Sequence, residues 1–415
     1  MHNYKKIVLN NGIPLYLYND KSLKQTFVSY IVKYGSSGRW FNFNLDGKEH
    51  NVSSGYAHYL EHLLGEHSKH GNIYTNFDSR CLNANAYTAL DHTCYHFVGA
   101  GNIKKSIKEL IEAIDCPVFD DKDVNQSRHA ICEEASTWQD NYDVQAVNLV
   151  EKNLFSTYDE YDYTLSPIGN RQITKEITTQ SLYDCYNAFY TDDNKVLVIA
   201  GNVNEEELVD YLNNIYANIS SHQRRVILPN FDLEPMRTKE EEIVRKVDVD
   251  INSLGIKIKK PTNVSKEELV ICMNFLINYL ISSDSDFYLY LKSKNLLDFI
   301  YYGYTKITDN YIQLIHSYVS NNPKEYLKTA RDKLYRKDMS FSEFEGIRRS
   351  LIAEEVRDCD DKYSAPSKFG DRLQYTENYS DLDIYKKITY ERFMEILNML
   401  RFDNYTMGKV KQLKK

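Results

Sequence analysis

Residues 57–64 read AHYLEHLL, and His58, Glu61 and His62 form an H-x-x-E-H pattern within them. The apolar residues around the pattern indicate a helix over 55–64. Residues four apart project from one helix face about a turn apart. His58 and His62 can therefore bind one Zn²⁺ ion through their imidazoles. Glu61 borders the same face, where it can act as a base on water without being a metal ligand.

An alternative interpretation of this segment is a polar helix face whose histidines point into solvent. His67 and His70 follow in the same region, which is therefore simply rich in histidine. A catalytic zinc site needs a third protein ligand and an open position. A third ligand would support the metal interpretation.

A second predicted helix, over 122–139, offers Glu133 and Glu134 as that ligand. One face of this helix is marked, at spacings of 7, 4 and 3, by Val124, Ile131, Ala135 and Trp138. Glu134 lies three residues beyond Ile131 and joins that inward face, whereas Glu133 points roughly opposite. We therefore predict that Glu134 is the third ligand and that Glu133 is solvated.

The rest of the chain predicts a mixture of strands and helices. In the first half we expect a hairpin over 6–18, strands over 27–34, 84–98 and 196–201, and a helix over 104–114. After a segment that contains two prolines, a similar order recurs as a strand over 254–259, a helix over 266–282, a strand region over 299–319 and a helix over 323–336.

This recurrence indicates a duplicated unit. We expect an α+β fold of two homologous lobes, each a mostly antiparallel sheet packed with helices. The predicted boundaries are a zinc-bearing lobe over 1–219, a linker over 220–240 and a metal-free lobe over 241–415.

Composition narrows the class of protein. The chain has 415 residues, 42% hydrophobic and 27% charged, which is ordinary for a folded protein. Its net charge of −8 argues against a nucleic-acid surface as the main function. Seven cysteines without a C-x-x-C pair indicate reduced thiols, and neither a signal peptide nor a transmembrane segment is evident, so we expect a cytoplasmic protein that binds no membrane.

Four features together resemble the pitrilysin, insulysin and mitochondrial processing peptidase family, the inverzincin zinc peptidases. HYLEH at 58–62 matches the metal helix of that family, and Glu134 follows His62 by 72 residues (134 − 62). NAYT at 85–88 with TCY at 93–95 matches its edge-strand signature. LYDCYNAFY at 182–190, followed by VLVIAGNV at 196–203, is similar to its closing helix and strand.

The resemblance implies that His58, His62 and Glu134 bind Zn²⁺ and that Glu61 is the general base. It also implies that Asn85 and Ala86, with Thr88 in the same strand, meet the substrate peptide along an exposed edge. Such an edge can add a peptide by main-chain hydrogen bonds. The alternative for Asn85 is a turn or bulge residue within the strand.

Two positions depart from the family pattern. An acidic residue often lies seven before the ligand glutamate, where this sequence has Ser127. In the second half, an arginine and a tyrosine seven apart bind substrate in family members, and LKSKNLLDF at 291–299 puts Lys292 and Phe299 there. Lysine lacks the bidentate fork of arginine, and phenylalanine has no hydroxyl to donate to an oxyanion.

That second departure resembles the small two-chain bacterial branch, in which a zinc-bearing subunit pairs with a metal-free one. We therefore expect a zinc metalloendopeptidase subunit that hydrolyses short unfolded peptides in a two-lobed chamber, with a homologous partner or as a homodimer. The alternatives are a non-catalytic structural subunit of a peptidase heterodimer and a peptide-binding module.

Overall fold

The computed structural model describes residues 4–36, 41–101, 103–154, 167–169, 171–221, 226–227, 236–308, 310–361, 364–378 and 380–413. The chain forms two compact units. Unit 1 comprises Met1–Ser136, Leu165–Asn230 and Cys359–Tyr379, and unit 2 comprises Thr137–Thr164, Phe231–Asp358 and Ser380–Lys415. Each unit therefore includes a segment from the other half of the sequence.

The strands are β1 (Lys5–Val8), β2 (Pro14–Asn19), β3 (Thr26–Val32), β4 (Asn42–Leu45), β5 (Lys48–Asn51), β6 (Asn83–Thr88), β7 (Thr93–Gly99), β8 (Lys195–Gly201), β9 (Val226–Ile227), β10 (Glu240–Arg245), β11 (Ile251–Lys259), β12 (Phe299–Ile307), β13 (Tyr311–Val319) and β14 (Asn404–Gln412).

The helices are α1 (Tyr56–Glu66), α2 (Ile73–Asp78), α3 (Lys104–Asp115), α4 (Asp121–Asp140), α5 (Tyr142–Asn153), α6 (Arg171–Glu176), α7 (Thr179–Phe189), α8 (Glu205–Tyr216), α9 (Lys266–Ile281), α10 (Asp286–Ser293), α11 (Pro323–Arg336), α12 (Phe341–Asp360), α13 (Ser364–Arg372), α14 (Leu382–Lys387) and α15 (Tyr390–Met399). No helix among the described residues is both long enough and apolar enough to span a bilayer.

The two large sheets share one topology. Unit 1 has the strand order β1-β2-β8-β3-β7-β6, and unit 2 has β10-β14-β11-β13-β12. The order β2-β8-β3-β7-β6 of unit 1 corresponds to β10-β14-β11-β13-β12 of unit 2, and β1 is an additional edge strand in unit 1. Strand β2 runs parallel to β8, as β10 runs parallel to β14, and the other neighbours are antiparallel. The expectation of an α+β fold with two homologous lobes is thereby confirmed. A further small sheet has the order β5-β4-β9.

Unit 1 has a separate apolar layer on each face of its sheet. Side chains alternate along β3, so Val28, Tyr30 and Val32 join the main core with α1, whereas Ile31 packs on the opposite face. On that opposite face α13 places Phe369 against Tyr16. The sheet is therefore buried on both sides, and only its edges remain for a partner strand.

Two details of the sequence prediction were wrong. The single strand expected over 84–98 is the hairpin β6–β7, because the chain reverses between Ala89 and His92, where the Ala89 amide donates to the His92 carbonyl at 2.8 Å. Trp138 was assigned to the inward face of α4, yet it is 41% exposed. Most of the predicted linker, 220–240, lies outside the described residues, and the lobe boundaries stay a prediction.

In unit 2, α5 covers one face of the sheet at very close range. A Cβ atom at Gly408 of β14 would lie 2.2 Å from the Ala146 carbonyl oxygen, and one at Gly255 of β11 would lie 2.0 Å from a methyl of Val150. A methyl group can rotate away, but a backbone carbonyl cannot move without shifting the helix. Gly408 therefore sets the distance between α5 and the sheet.

We expect Gly408→Ala to lower the free energy of unfolding by about 1–3 kcal/mol, because the new methyl group forces α5 outward. Gly346→Ala is the matched control: it lies inside α12 with open space around its Cα, so alanine should raise stability by up to about 1 kcal/mol. Chemical denaturation of both variants measures the two values. Equal effects would contradict the role assigned to Gly408.

Candidate metal centre

Helix α1 presents His58, Glu61 and His62 from a buried position. The helix begins after Gly55, whose φ of 95° is readily adopted by glycine. The imidazoles of His58 and His62 lie side by side, with ring centroids 4.7 Å apart. His58 is 6% exposed and Glu61 8% exposed, so these polar groups lie within the protein rather than in solvent.

Helix α4 brings Glu134 to these two histidines. Its Oε2 lies 3.6 Å from His58 Nε2 and 3.5 Å from His62 Nε2. Zinc binds nitrogen and oxygen at about 2.0–2.1 Å, which puts two ligand atoms of a tetrahedron about 3.3–3.4 Å apart. The three atoms lie within 4.8 Å of one another, so these residues fit one divalent ion.

Glu133, the neighbour that we expected to be solvated, is exposed. Among the described residues, His58, His62 and Glu134 are the group whose geometry could hold a metal ion. Glu134 is exposed as well, so what separates the two glutamates is the short distance from Glu134 to the histidine nitrogens, and the ligand role of Glu134 stays a prediction.

Glu66 supports the site and was missed from the sequence. Its Oε1 accepts a hydrogen bond from His62 Nδ1 at 3.0 Å, which leaves Nε2 of the same ring toward Glu134. A carboxylate behind a histidine ligand fixes the ring and makes it a stronger base toward the metal. The signal was present, since Glu66 follows His62 by four residues. By contrast, Nδ1 of His58 is buried and has no hydrogen-bond partner among the residues that the structure describes.

Burial and close charges shift the pKa values in this group. Burial, with the neighbouring His62, lowers the pKa of His58 to about 4. Burial also lowers the pKa of His62, but hydrogen bonds with Glu134 and Glu66 outweigh it and raise the pKa to about 10. The hydrogen bond with His62 in turn lowers the pKa of Glu134. A divalent cation that binds His62 Nε2 must displace the proton that this nitrogen directs to Glu134, whereas the Nδ1 proton can stay with Glu66.

Glu61 is held on the side of α1 that faces β6. Its Oε2 accepts a hydrogen bond from the Thr88 hydroxyl at 2.6 Å. Burial raises the pKa of Glu61 to about 7, and the Thr88 hydrogen bond opposes that rise. A carboxylate with a pKa near neutrality can both accept and return a proton. Thr88 thus links the predicted base to the predicted substrate strand.

Three contacts fix α4 against α1. The Tyr59 hydroxyl donates to the Val124 carbonyl at 2.6 Å. His67, which follows α1, lies 3.1 Å from Asp123 Oδ1 through Nδ1 and 3.0 Å from the Ser127 hydroxyl through Nε2. Ser127 stands where an acidic residue was expected from the resemblance. Asp123, one turn earlier on α4, contacts the other nitrogen of the same His67 ring.

The predicted substrate residues fall in two places. Asn85 and Ala86 lie in β6, which pairs only with β7 among the described strands, so its other edge is open. Asn85 is exposed, and its Oδ1 accepts a hydrogen bond from the Ala86 amide at 2.9 Å. Lys292 and Phe299 belong to unit 2, where Lys292 donates to the Asp298 carbonyl at 3.0 Å and Phe299 is 53% exposed.

Comparison with known families identifies the chain. The family model "Insulinase (Peptidase family M16)" matches residues 47–167, which include all three candidate ligands and Glu61. The model "Peptidase M16 inactive domain" matches 176–357. The chain belongs to the M16 family of peptidases. The resemblance stated from the sequence is thereby confirmed at the level of the family.

Relatives in sequence agree with this assignment, and a solved structure shares the fold. The chain is 28% identical to the Bacillus subtilis "Uncharacterized zinc protease YmfH" over 70% of this chain and 68% of that protein. It is 25% identical to the mitochondrial-processing peptidase subunit beta of Dictyostelium discoideum over 47% of this chain and 43% of that protein. An M16-like peptidase of Alicyclobacillus acidocaldarius has the same fold, with a TM-score of 0.86 at 21% identity and 99% coverage of both chains.

Proposed function

We propose that this M16 chain is a zinc-dependent metalloendopeptidase subunit that hydrolyses short unfolded peptides. The proposal rests on the close approach of His58 Nε2, His62 Nε2 and Glu134 Oε2. Glu61 lies on the same helix as the two histidines and is not one of the three candidate ligands. Two imidazoles and one carboxylate are a donor set that suits catalytic zinc. The name of the Bacillus relative, a zinc protease, supports the choice of metal.

His58, His62 and Glu134 would hold the ion, with Glu66 orienting the His62 ring. A bound Zn²⁺ acts as a Lewis acid toward a carbonyl oxygen and makes water easier to deprotonate. Glu61 takes the proton from the attacking water and returns it to the departing amine. The Thr88 hydroxyl holds the Glu61 carboxylate in place during both transfers.

The open edge of β6 suits a peptide in extended conformation. A strand that pairs there is bound by main-chain hydrogen bonds, which do not depend on its sequence. The Asn85 side chain, now bonded to the Ala86 amide, can give up that amide to the substrate. An unfolded segment can adopt an extended conformation without first breaking its own sheet pairing, so short unfolded peptides are the proposed substrates.

Lys292 and Phe299 support a paired arrangement. Neither supplies the bidentate or hydroxyl donor that the family resemblance leads us to expect. Tyr301, Tyr302 and Tyr304 follow Phe299 closely and are the alternative hydroxyl donors within this chain. Tyr304 already directs its hydroxyl to Glu151 at 3.3 Å within unit 2. We therefore propose that a homologous partner chain contributes these donors. The Dictyostelium relative is itself named as a subunit.

Glu61→Gln is expected to retain zinc at the wild-type stoichiometry and to lose peptide cleavage by about 10²–10⁴-fold, because the amide cannot accept the proton of water. Elemental analysis and an assay with an internally quenched, unstructured peptide library measure the two properties. Full turnover by the variant would exclude this mechanism. Zinc binding without cleavage by the wild type, even with a partner, would instead indicate a non-catalytic subunit.

Glu134→Gln should weaken zinc binding by at least about tenfold, because a neutral amide oxygen replaces the ligand carboxylate. Glu133→Gln is the matched control on the same helix and should leave affinity unchanged. Competition with a chromogenic chelator gives both dissociation constants. The reverse order of effects would show that Glu133 is the ligand.

If a partner supplies the oxyanion donor, the isolated chain should bind zinc but cleave peptides about 10²–10³-fold more slowly than the assembled pair. Co-purification from the native source followed by light scattering identifies the pair, and the assay is then repeated with and without the partner. Robust cleavage by the isolated chain, abolished by Tyr301→Phe or Tyr304→Phe, would contradict the two-chain arrangement.

A further inference from the structure

A carboxylate from the second half of the sequence holds the strand that we propose binds peptide. Asp371, at the end of α13, accepts a hydrogen bond from the Tyr87 hydroxyl at 2.5 Å through Oδ1. The same oxygen lies 3.0 Å from His92 Nε2 in the turn that follows β6. All three residues belong to unit 1. Asp371 therefore contacts both β6 and the turn after it.

His92 makes this contact a charged one. Its side chain is 4% exposed and lies between two carboxylates, since Nδ1 also meets Asp91 Oδ1 at 2.9 Å. Burial lowers the pKa of His92, but the hydrogen bonds with Asp371 and Asp91 outweigh burial and raise it to about 9. A buried imidazolium that loses one of its partners is strongly destabilised. The turn is therefore sensitive to removal of Asp371.

The two faces of β6 are held by different groups. Thr88 points toward α1 and holds Glu61, whereas Tyr87, one residue earlier, points to the other face of the sheet and meets α13. Successive side chains of a strand alternate between faces, so one short segment is fixed from both sides. The open edge between these contacts keeps its main-chain groups for a partner strand.

We propose that Asp371 is a positioning residue for peptide binding, which fixes β6 through Tyr87 and His92 so that a substrate strand can pair with its open edge. This role rests on the proposed function. Within the described part of the chain, the hydrogen bonds and ion pairs of Asp371 run to Tyr87 and His92 and not to the candidate metal ligands or Glu61. Its loss should therefore affect peptide binding more than metal binding or the chemical step.

The same segment offers a matched control at the opposite edge of the sheet. Glu377, six residues after Asp371, pairs with Lys6 of β1 at 2.5 Å. Strands β1 and β6 are the two edge strands of the six-stranded sheet. Glu377→Gln removes a carboxylate contact of the same chain segment without touching β6.

The test measures KM, kcat and zinc content for the full chain, with its partner where turnover requires one. Asp371→Asn and Tyr87→Phe should each raise KM for an unstructured peptide by about fivefold, a modest factor because the Asp371 side chain is half-exposed. The values of kcat and zinc content should stay within about twofold. The double variant should be no worse than Asp371→Asn alone, because the Tyr87 hydrogen bond that Tyr87→Phe removes is one of the two contacts that Asp371→Asn already weakens.

Hydrogen exchange gives a readout that does not depend on turnover. Asp371→Asn should speed exchange in 83–88 and not in 5–8, and Glu377→Gln should do the reverse. The proposal is overturned if KM rises no more than in Glu377→Gln, or if kcat and zinc content fall together with the rise in KM. If the wild type cleaves no peptide, the proposed function fails. The role of Asp371 is overturned separately if Asp371→Asn leaves hydrogen exchange in 83–88 unchanged.

Discussion

The candidate site depends on the packing of α1 against α4. This packing brings two histidine nitrogens of α1 and a carboxylate oxygen of α4 within 4.8 Å of one another. The helices α1 and α4 are far apart in sequence, so their packing alone decides whether Glu134 reaches His58 and His62. A metal site tolerates displacements of only about 0.5 Å. The buried side chains between the helices, Tyr59 and Val124 among them, hold this distance, and the hydrogen bond from Tyr59 to the Val124 carbonyl joins the helices directly.

The duplicated sheet shows which features belong to the fold and which to the chemistry. In unit 2 two helices, α9 and α10, lie between β11 and β12, and α9 comes first, as α1 is the first of two helices between β3 and β6 in unit 1. The sequence of α9, KEELVICMNFLINYLI, contains no histidine and is almost wholly buried on its apolar side. The scaffold thus persists without metal ligands, which is why a fold alone does not establish function. The "inactive domain" description of the model that matches 176–357 is consistent with this difference.

Local periodicity was sufficient to predict the parts of the site that lie on single helices. The four-residue spacing of His58 and His62 and the three-residue step from Ile131 to Glu134 are both properties of one helix, and both led to residues that meet in the structure. The same reasoning failed at Trp138, which lies in the last turn of α4, beyond Ser136 where that part of unit 1 ends, and is exposed. It also merged β6 and β7 into one strand, since their turn contains no glycine or proline to mark it.

Contacts between distant parts of the sequence could not be predicted in this way. Asp371 follows Tyr87 by 284 residues, and no local pattern connects them. An edge strand that receives a peptide must leave one row of main-chain groups free, and such edges are otherwise prone to unwanted pairing. If β6 were held only by β7, its free edge would also be the least ordered part of the sheet. Contacts on both faces, from Thr88 to Glu61 and from Tyr87 to Asp371, restrain the strand while its edge stays open. The edge can then be both available and ordered, which lowers the entropy that a bound peptide would otherwise have to offset.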